Sequence, residues 1–219
     1  VEVLEEEKPI HTEALRFLRK RIEDFLRSNK SKLQNVAIGE HIQNAVETAR
    51  RLSSHRSVAL LTRIQVDSHI MIDPDALDMT LISLLKNAIE KTPDGGEVTI
   101  SLYRQPEGVV IEVKDTGVGI TEQSQKHIFG GFYHSLETDL YSTKKPFDFG
   151  AGGKGLDLLR IKMFGKTYHF EIECKSVRCK YIPREIDACP GTIAKCLHVH
   201  SKKQCSQSGG SVFKLIMIK

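Results

Sequence analysis

The sequence predicts a mixed α/β domain in which at least two strands form an antiparallel hairpin. Residues 97–103 and 109–114 alternate apolar and polar side chains, as strands with one buried face do. The turn residues 105–108 join these two segments, which favours an antiparallel pair. Amphipathic patterns over residues 39–52 and in the segment that begins at Asp73 predict helices on the same core.

Composition sets the class of protein. The chain has 219 residues and 40% hydrophobic residues, enough for one large domain or a medium domain with an appendage. Its net charge of +4 is too small to indicate a nucleic-acid partner. No apolar run approaches 18 residues and the first residues are acidic, so we expect no membrane span and no signal peptide. We expect a cytoplasmic fragment, and leave open a membrane anchor in a longer parent protein.

Residues 10–33 predict an N-terminal helix. Its apolar side chains follow a heptad-like seam at Leu15, Leu18, Ile22 and Phe25. Two interpretations have equal weight: a surface helix on its own domain, or one half of a two-helix hairpin that forms a homodimer. A linker is expected to follow, which divides the chain into residues 1–36 and a main domain over residues 37–219.

The next predicted elements are strands over 57–65 and 69–72, and then a helix. Asp73 is the expected N-cap of this helix, with Pro74 in its first turn. One side of the helix is an apolar stripe, formed by Leu77, Leu81, Leu84, Leu85 and Ala88. A neighbouring polar strip is formed by Thr80, Ser83, Asn87, Glu90 and Lys91. The turn residues 93–96 end the helix.

A carboxylate followed by spaced glycines ends the second hairpin strand. In Asp115–Ile120, Gly117 and Gly119 can take conformations that let a ligand approach the backbone. Alone, this loop is weak evidence, because loops are rich in Asp and Gly. The polar helix before it and the glycine-rich segment after it make a nucleotide site plausible.

The segment over residues 121–154 is polar and glycine-rich, and is long for a connector, so we predict a functional lid. The glycines of residues 150–155 precede a predicted helix over 156–164. Two final strands are expected over 168–174 and 211–218, with a cysteine-rich insertion at 175–208 between them.

Each part of this arrangement suits one part of a nucleotide. Asn87 offers an oxygen ligand to Mg²⁺ held mainly by phosphates and water. Asp115 can accept a hydrogen bond from an exocyclic amine. The glycines at a helix N-terminus offer N–H groups to phosphate, and Lys154 adds a charge. Taken singly, each residue is better explained as a helix, turn or cap residue; their occurrence together, in this order along one chain, favours the site.

The order of these motifs resembles that of the catalytic, ATP-binding domain of sensor histidine kinases, in the GHKL ATP-binding superfamily. Residues 84–89 together with 92–96 resemble its N box, residues 115–120 its G1 box, residues 128–133 its F box and residues 150–156 its G2 box. The resemblance covers about residues 37–175 and 208–219. It implies a two-layer α/β (α+β) sandwich, with a mixed, mostly antiparallel sheet of about five strands packed under three helices.

The resemblance also implies an activity and a set of site residues. The γ-phosphoryl group of ATP would pass to a histidine and then to an aspartate of a response regulator receiver domain. Asn87 would hold Mg²⁺. The implied ATP-binding residues are Asn87, Lys91, Asp115, Gly117, Gly119, Gly150, Gly152, Gly153, Lys154, Gly155 and Leu156.

Several residues depart from the family pattern. Ser83 stands where superfamily members that hydrolyse ATP carry a water-activating Glu, which favours a kinase over a fast ATPase. Glu90 replaces a common Lys, Gly130–Gly131 suggests a looser lid, and Lys154 replaces an apolar residue. The box that carries the phosphorylated histidine is missing, and His11 is only a weak candidate for it. The acceptor is expected on a segment upstream or on another chain.

Five cysteines are clustered between residues 174 and 205. The possible zinc ligands within the insertion are Cys179, Cys189, Cys196, His198, His200 and Cys205. They lack the close Cys pair typical of zinc sites, so a loop of reduced thiols is the somewhat better interpretation, ahead of zinc or redox sensing.

Two other functions stay open. One is a nucleotide-dependent interaction module that binds ATP without transferring phosphate. The other is an anti-sigma-type Ser kinase of the same superfamily, which the N-terminal helix disfavours.

Overall fold

A computed structural model of the chain describes Lys20 and residues 33–130, 157–184 and 186–218. The predicted N-terminal helix and most of the predicted lid lie outside these ranges. The described elements are β1 (Gln34–Ala37), α1 (Ile38–Leu52), β2 (Ala59–Ile64), β3 (His69–Ile72), α2 (Pro74–Lys91), β4 (Glu97–Gln105), β5 (Gly108–Asp115), α3 (Glu122–Gln125), α4 (Asp157–Tyr168), β6 (Phe170–Val177), a 3₁₀ turn (Ile193–Lys195), α5 (Lys202–Ser206) and β7 (Gly210–Ile218).

Five strands form the main sheet in the order β2-β4-β5-β7-β6. Strands β2 and β4 are parallel, and every other neighbouring pair is antiparallel. The predicted hairpin is β4 and β5, in which Asp115 faces Val98. On its other side Asp115 faces Ser211, the second residue of β7. The predicted fold class is therefore confirmed, and the carboxylate lies at one end of the central strand.

Helices α1, α2 and α4 cover the sheet. Helix α2 packs against α1, α4, β4 and β5, so it is the central element of the helical layer. Its predicted apolar stripe is buried throughout, from Leu77 to Ala88. The predicted cap is also confirmed, since the Asp73 side chain accepts a hydrogen bond from the Asp75 N–H. Among the described helices, none is both long enough and apolar enough to cross a membrane.

Strand β1 was not predicted from the sequence, which indicated a linker there. It pairs antiparallel with β3 in a separate two-stranded sheet, and the Ile38 N–H donates to the Ser68 carbonyl beside it. Only Val36 of the four β1 residues is buried. So short a strand carries too little alternation to be recognised.

Arg56, in the segment after α1, is hydrogen-bonded to the end of α2 and to the turn that follows it. Its Nε donates to Asp94 Oδ1 at 2.8 Å, and its Nη2 donates to the Thr92 carbonyl at 2.8 Å. The side chain is only 6% exposed. It therefore satisfies carbonyl groups that the end of a helix leaves without partners.

We expect Arg56→Ala to lower the free energy of unfolding by about 2–3 kcal/mol, because it leaves a carboxylate and a carbonyl without this donor. Arg63→Ala, which removes an exposed arginine from β2, is the matched control and should change stability by less than about 0.5 kcal/mol. Urea unfolding measures both. Equal stabilities of the two variants would show that the Arg56 contacts contribute little.

Candidate functional site

Asp115 is a buried carboxylate at the end of β5. Its side chain is 4% exposed, and Oδ1 accepts hydrogen bonds from the N–H groups of Gly117 at 2.8 Å and Ser211 at 3.2 Å. Burial raises the pKa of Asp115 to about 6, while the hydrogen bonds from Gly117 and Ser211 act in the opposite direction. The carboxylate is therefore mostly ionised at neutral pH, in a nearly dry environment.

The loop after Asp115 is joined directly to the end of α2. The Val118 N–H donates to the Lys91 carbonyl at 3.1 Å. A Cβ on Gly117 would lie 2.3 Å from that same carbonyl oxygen, so only glycine fits this approach. The structure therefore brings Asp115, Gly117 and Lys91 together, with Asn87 one turn earlier on the same helix.

Gly119 is required for a second close approach. It has a φ of +68°, and an added Cβ would lie 1.9 Å from the Val177 carbonyl oxygen at the end of β6. The sequence suggested that these glycines admit a ligand to the backbone. In the structure, each also admits another segment of the protein, α2 at Gly117 and β6 at Gly119.

A polar network that sequence reasoning missed fixes the same loop. Ser176 Oγ accepts from the Ile120 N–H at 2.8 Å and shares a 2.9 Å hydrogen bond with Ser211 Oγ. Gln125 Nε2 donates to the carbonyls of Ile120 and Ser176, at 2.9 and 3.0 Å. Gln125 and Ser176 are 51 residues apart and belong to no motif, so the sequence carries no signal for their contact.

Charged side chains meet where α4 packs on α2. Arg160 Nη2 donates to Asp157 Oδ1 at 2.8 Å and to Ser83 Oγ at 3.1 Å. Lys86 Nζ lies 3.8 Å from Asp157 Oδ2. Asp157 is the first residue of α4, so these contacts fix the start of that helix beside the turn of α2 that precedes Asn87.

Within the part of the chain that the structure describes, this charged region has two buried atoms without a hydrogen-bond partner, Arg160 Nε and Glu90 Oε1. Burial raises the pKa of Glu90, and the charges of Lys86 and Lys91 oppose the shift. The Asn87 side chain is partly exposed and makes no hydrogen bond within the described ranges. Groups able to bind a ligand are thus available at this end of α2.

The other predicted site residues lie outside the described residues. These are His11, Gly150, Gly152, Gly153, Lys154, Gly155 and Leu156. Only the start of the predicted F box is described: Ile128 and Phe129 pack in or against the main core.

The insertion contacts both the loop after Asp115 and the turn after α2. The Cys179 N–H donates to the Val118 carbonyl at 2.7 Å, so the insertion holds the loop after β5. Further along, Asp94 exchanges backbone hydrogen bonds with Gly191 and Ile193, at 2.9 and 3.0 Å. Because Asp94 lies in the turn after α2, one inserted segment contacts the end of the helix and the loop at once.

The zinc hypothesis, the less favoured interpretation of the sequence, finds no cluster of ligands among the described residues. In the part of the chain that the structure describes, no three Cys, His, Asp or Glu side chains are placed to hold one metal ion. His198 instead stacks on Tyr181, with ring centroids 5.1 Å apart. The thiols line a cavity of about 290 Å³ under Val118, and burial and neighbouring thiols raise the pKa of Cys205 to about 11. The lining thiols are Cys179, Cys189, Cys196 and Cys205.

Comparison with known proteins decides the family. The family model described as histidine kinase-, DNA gyrase B- and HSP90-like ATPase matches residues 72–215, which span α2, the Asp115 loop and most of β7. The chain belongs to this ATPase family. Among curated proteins, this ATPase domain is 30% identical over 171 residues to the adaptive-response sensory kinase SasA of Rippkaea orientalis. It is also 30% identical over 166 residues to the sensor protein CreC of Escherichia coli.

These matches cover most of the ATPase domain but less than half of the relatives. The alignment with SasA spans 74% of this chain and 41% of SasA, and that with CreC spans 72% and 32%. The fold matches a mycobacterial sensor histidine kinase, MprB, with a TM-score of 0.59 at 18% identity, covering 85% of this chain and 98% of that one. The catalytic domain of the histidine kinase ThkA matches with a TM-score of 0.57 at 16% identity, covering 85% and 95%.

Proposed function

We propose that this ATPase domain is the ATP-binding catalytic part of a sensor histidine kinase. It would transfer the γ-phosphoryl group of ATP to a histidine, for relay to a response regulator receiver domain. The observation that carries the proposal is the hydrogen bond that joins the loop after Asp115 to Lys91 at the end of α2, in a domain related to sensory kinases. A buried, ionised carboxylate at this position can accept a hydrogen bond from the exocyclic amine of adenine.

The remaining roles belong to the same proposal. Asn87 holds Mg²⁺, which suits its partly exposed side chain with no hydrogen bond in the described residues. The phosphates lie against the glycine-rich loop before α4. The residues of this loop proposed to bind them are Gly150, Gly152, Gly153, Lys154, Gly155 and Leu156. We further propose that residues 1–36 belong to a dimerisation hairpin, that the acceptor histidine lies on an upstream segment or on another chain, and that this region acts in the cytoplasm.

Ser83 supports phosphoryl transfer over hydrolysis. It lies one turn before Asn87, where a carboxylate could activate water, but its hydroxyl accepts a hydrogen bond from Arg160 instead. A hydroxyl beside a guanidinium is a poor general base. Catalysis then depends on positioning the two substrates and neutralising phosphate charge.

We expect Asn87→Ala to lower the affinity for ATP at least about tenfold in Mg²⁺, and to remove the difference between Mg²⁺ and EDTA. Titration calorimetry with this chain measures both. Asn44→Ala, at an exposed position of α1, is the matched control and should leave binding unchanged. A variant that kept the wild-type dependence on Mg²⁺ would show that Asn87 does not hold the ion.

Phosphoryl transfer is tested with the full-length parent protein and ATP radiolabelled on its γ-phosphoryl group. The expected label is labile in acid and stable in base, as phosphohistidine is. Tight ATP binding without any label would contradict the kinase and favour a nucleotide-dependent interaction module.

A further inference from the structure

Among the described residues, only one nitrogen of the Arg160 side chain makes hydrogen bonds. Nη2 donates both to Ser83 and to Asp157. Nε is buried without a partner, and no hydrogen bond from Nη1 exists among the described residues. A guanidinium carries five N–H donors, so an arginine fixed in this way still presents donors to a ligand.

This guanidinium lies where the phosphate end of the proposed nucleotide would be. The adenine end lies at the C-terminus of α2, where the Val118 N–H meets the Lys91 carbonyl. Ser83 is eight residues earlier, which is about 12 Å along the helix axis. A nucleotide whose base lies beside Asp115 and whose chain follows α2 therefore has its last phosphate near Ser83 and Arg160.

Arg160 offsets part of the negative charge in this region. Glu90 and Asp157 bring two carboxylates into this region, and Lys86 is paired with Asp157. Without Arg160, a phosphate here would face these carboxylates with less compensation. The Arg160 side chain is 33% exposed, so a ligand can reach it.

We propose that Arg160 binds the terminal phosphoryl group of ATP, and that Ser83 is a positioning residue that holds the guanidinium for this contact. Arginine suits this role because its planar fork matches phosphate oxygens. The role of Arg160 rests on the nucleotide site proposed above. It adds a specific expectation, that this chain discriminates ATP from ADP through one side chain on α4.

The test compares ATP and ADP affinities of Arg160→Gln by titration calorimetry in Mg²⁺. We expect the ATP affinity to fall about 10- to 100-fold, as for loss of a charge-assisted hydrogen bond, and the ADP affinity to change less than about threefold. Lys166→Gln removes the same charge from the last turn of the same helix, where the side chain is exposed, and should leave both affinities unchanged. Ser83→Ala should lower the ATP affinity alone by a smaller factor, and Ser83→Thr should restore it.

Each other outcome has a distinct meaning. Equal losses for ATP and ADP, with a lower melting temperature, would show that Arg160 only clamps α4 on α2 and would overturn its phosphate role. An unchanged ratio of ATP to ADP affinity in Arg160→Gln would overturn it as well. A wild-type chain that binds neither nucleotide would instead refute the proposed function.

Discussion

Replacing Asp115 by Asn should abolish adenine nucleotide binding and leave the fold intact. Asn keeps an oxygen that can accept the N–H groups of Gly117 and Ser211, which now meet Asp115 Oδ1. It replaces the other carboxylate oxygen by an NH₂ group, which opposes the amine of adenine with a second donor. We expect the affinity for ATP to fall on the order of 100-fold or more.

The same variant should be more stable than the wild type without nucleotide. The pKa of Asp115 rises from 3.8 to about 6 on folding, so the folded protein takes up a proton between these pH values. The free energy of unfolding therefore falls as the pH rises from about 4 to about 6, by about 3 kcal/mol, and stays lower above that range. The asparagine side chain of the variant carries no such charge, so thermal unfolding at pH 7 should show a melting temperature several degrees higher.

Glu112→Gln is the matched control for this substitution. It neutralises a carboxylate on the same strand, whose partners are Tyr103 and Lys214 on the other face of the sheet. Nucleotide affinity should be unchanged in that variant. Unaltered binding in Asp115→Asn would refute the assignment of the adenine end.

Protonation of Asp115 should also make the adenosine affinity of the wild type depend on pH. Only the ionised carboxylate is a full acceptor, so the affinity for adenosine should fall roughly tenfold between pH 7 and pH 5. Adenosine is the appropriate probe because it has no phosphate that titrates in this range. A flat profile down to pH 5 would mean that the carboxylate does not contact the base.

Gly119→Ala should produce the second large effect, on stability and binding together. The added Cβ would lie 1.9 Å from the Val177 carbonyl oxygen, at a residue whose φ is +68°. Either the Asp115 loop or the end of β6 must move. We expect a loss of roughly 3 kcal/mol in the free energy of unfolding, and weaker ATP binding because the loop carries the proposed adenine site.

Gly39→Ala separates this effect from the general consequence of removing a glycine. A Cβ on Gly39, in the first turn of α1, would lie 3.8 Å from the Ile64 side chain, which is ordinary contact. Alanine there should stabilise the protein by roughly 0.5 kcal/mol, since it favours the helix. If both alanine variants unfolded at the wild-type urea concentration, the tight packing at Gly119 would be disproved.

The sequence predicted the features that depend on short-range pattern. The α2 stripe, its Asp73 cap and the β4–β5 hairpin follow from periodicity and local hydrogen bonding, and the structure confirms them. Asp115 was predictable because a motif surrounds it, and its junction with Lys91 follows from where β5 and α2 end.

Contacts between distant polar residues could not be predicted in the same way. Arg56 to Asp94 and Gln125 to Ser176 join segments 38 and 51 residues apart, with no periodicity to reveal them. The zinc hypothesis has a related weakness: it relied on the density of possible ligands, while their directions depend on packing such as that of His198 on Tyr181. Chemical types are visible in a sequence, but side-chain directions come from the tertiary fold.

The cysteine-lined insertion has a thermodynamic consequence for the domain that carries it. The insertion is hydrogen-bonded to the loop after Asp115 through Cys179 and to the turn after α2 at Asp94. Its packing and the shape of the proposed adenine site therefore share one set of contacts. A chemical or conformational change in the thiol-lined cavity that shifts these contacts would change the nucleotide affinity by a certain factor. Linkage then requires bound nucleotide to alter the equilibrium of that change by the same factor. The cavity of the insertion and the proposed nucleotide site are in this way reciprocally coupled.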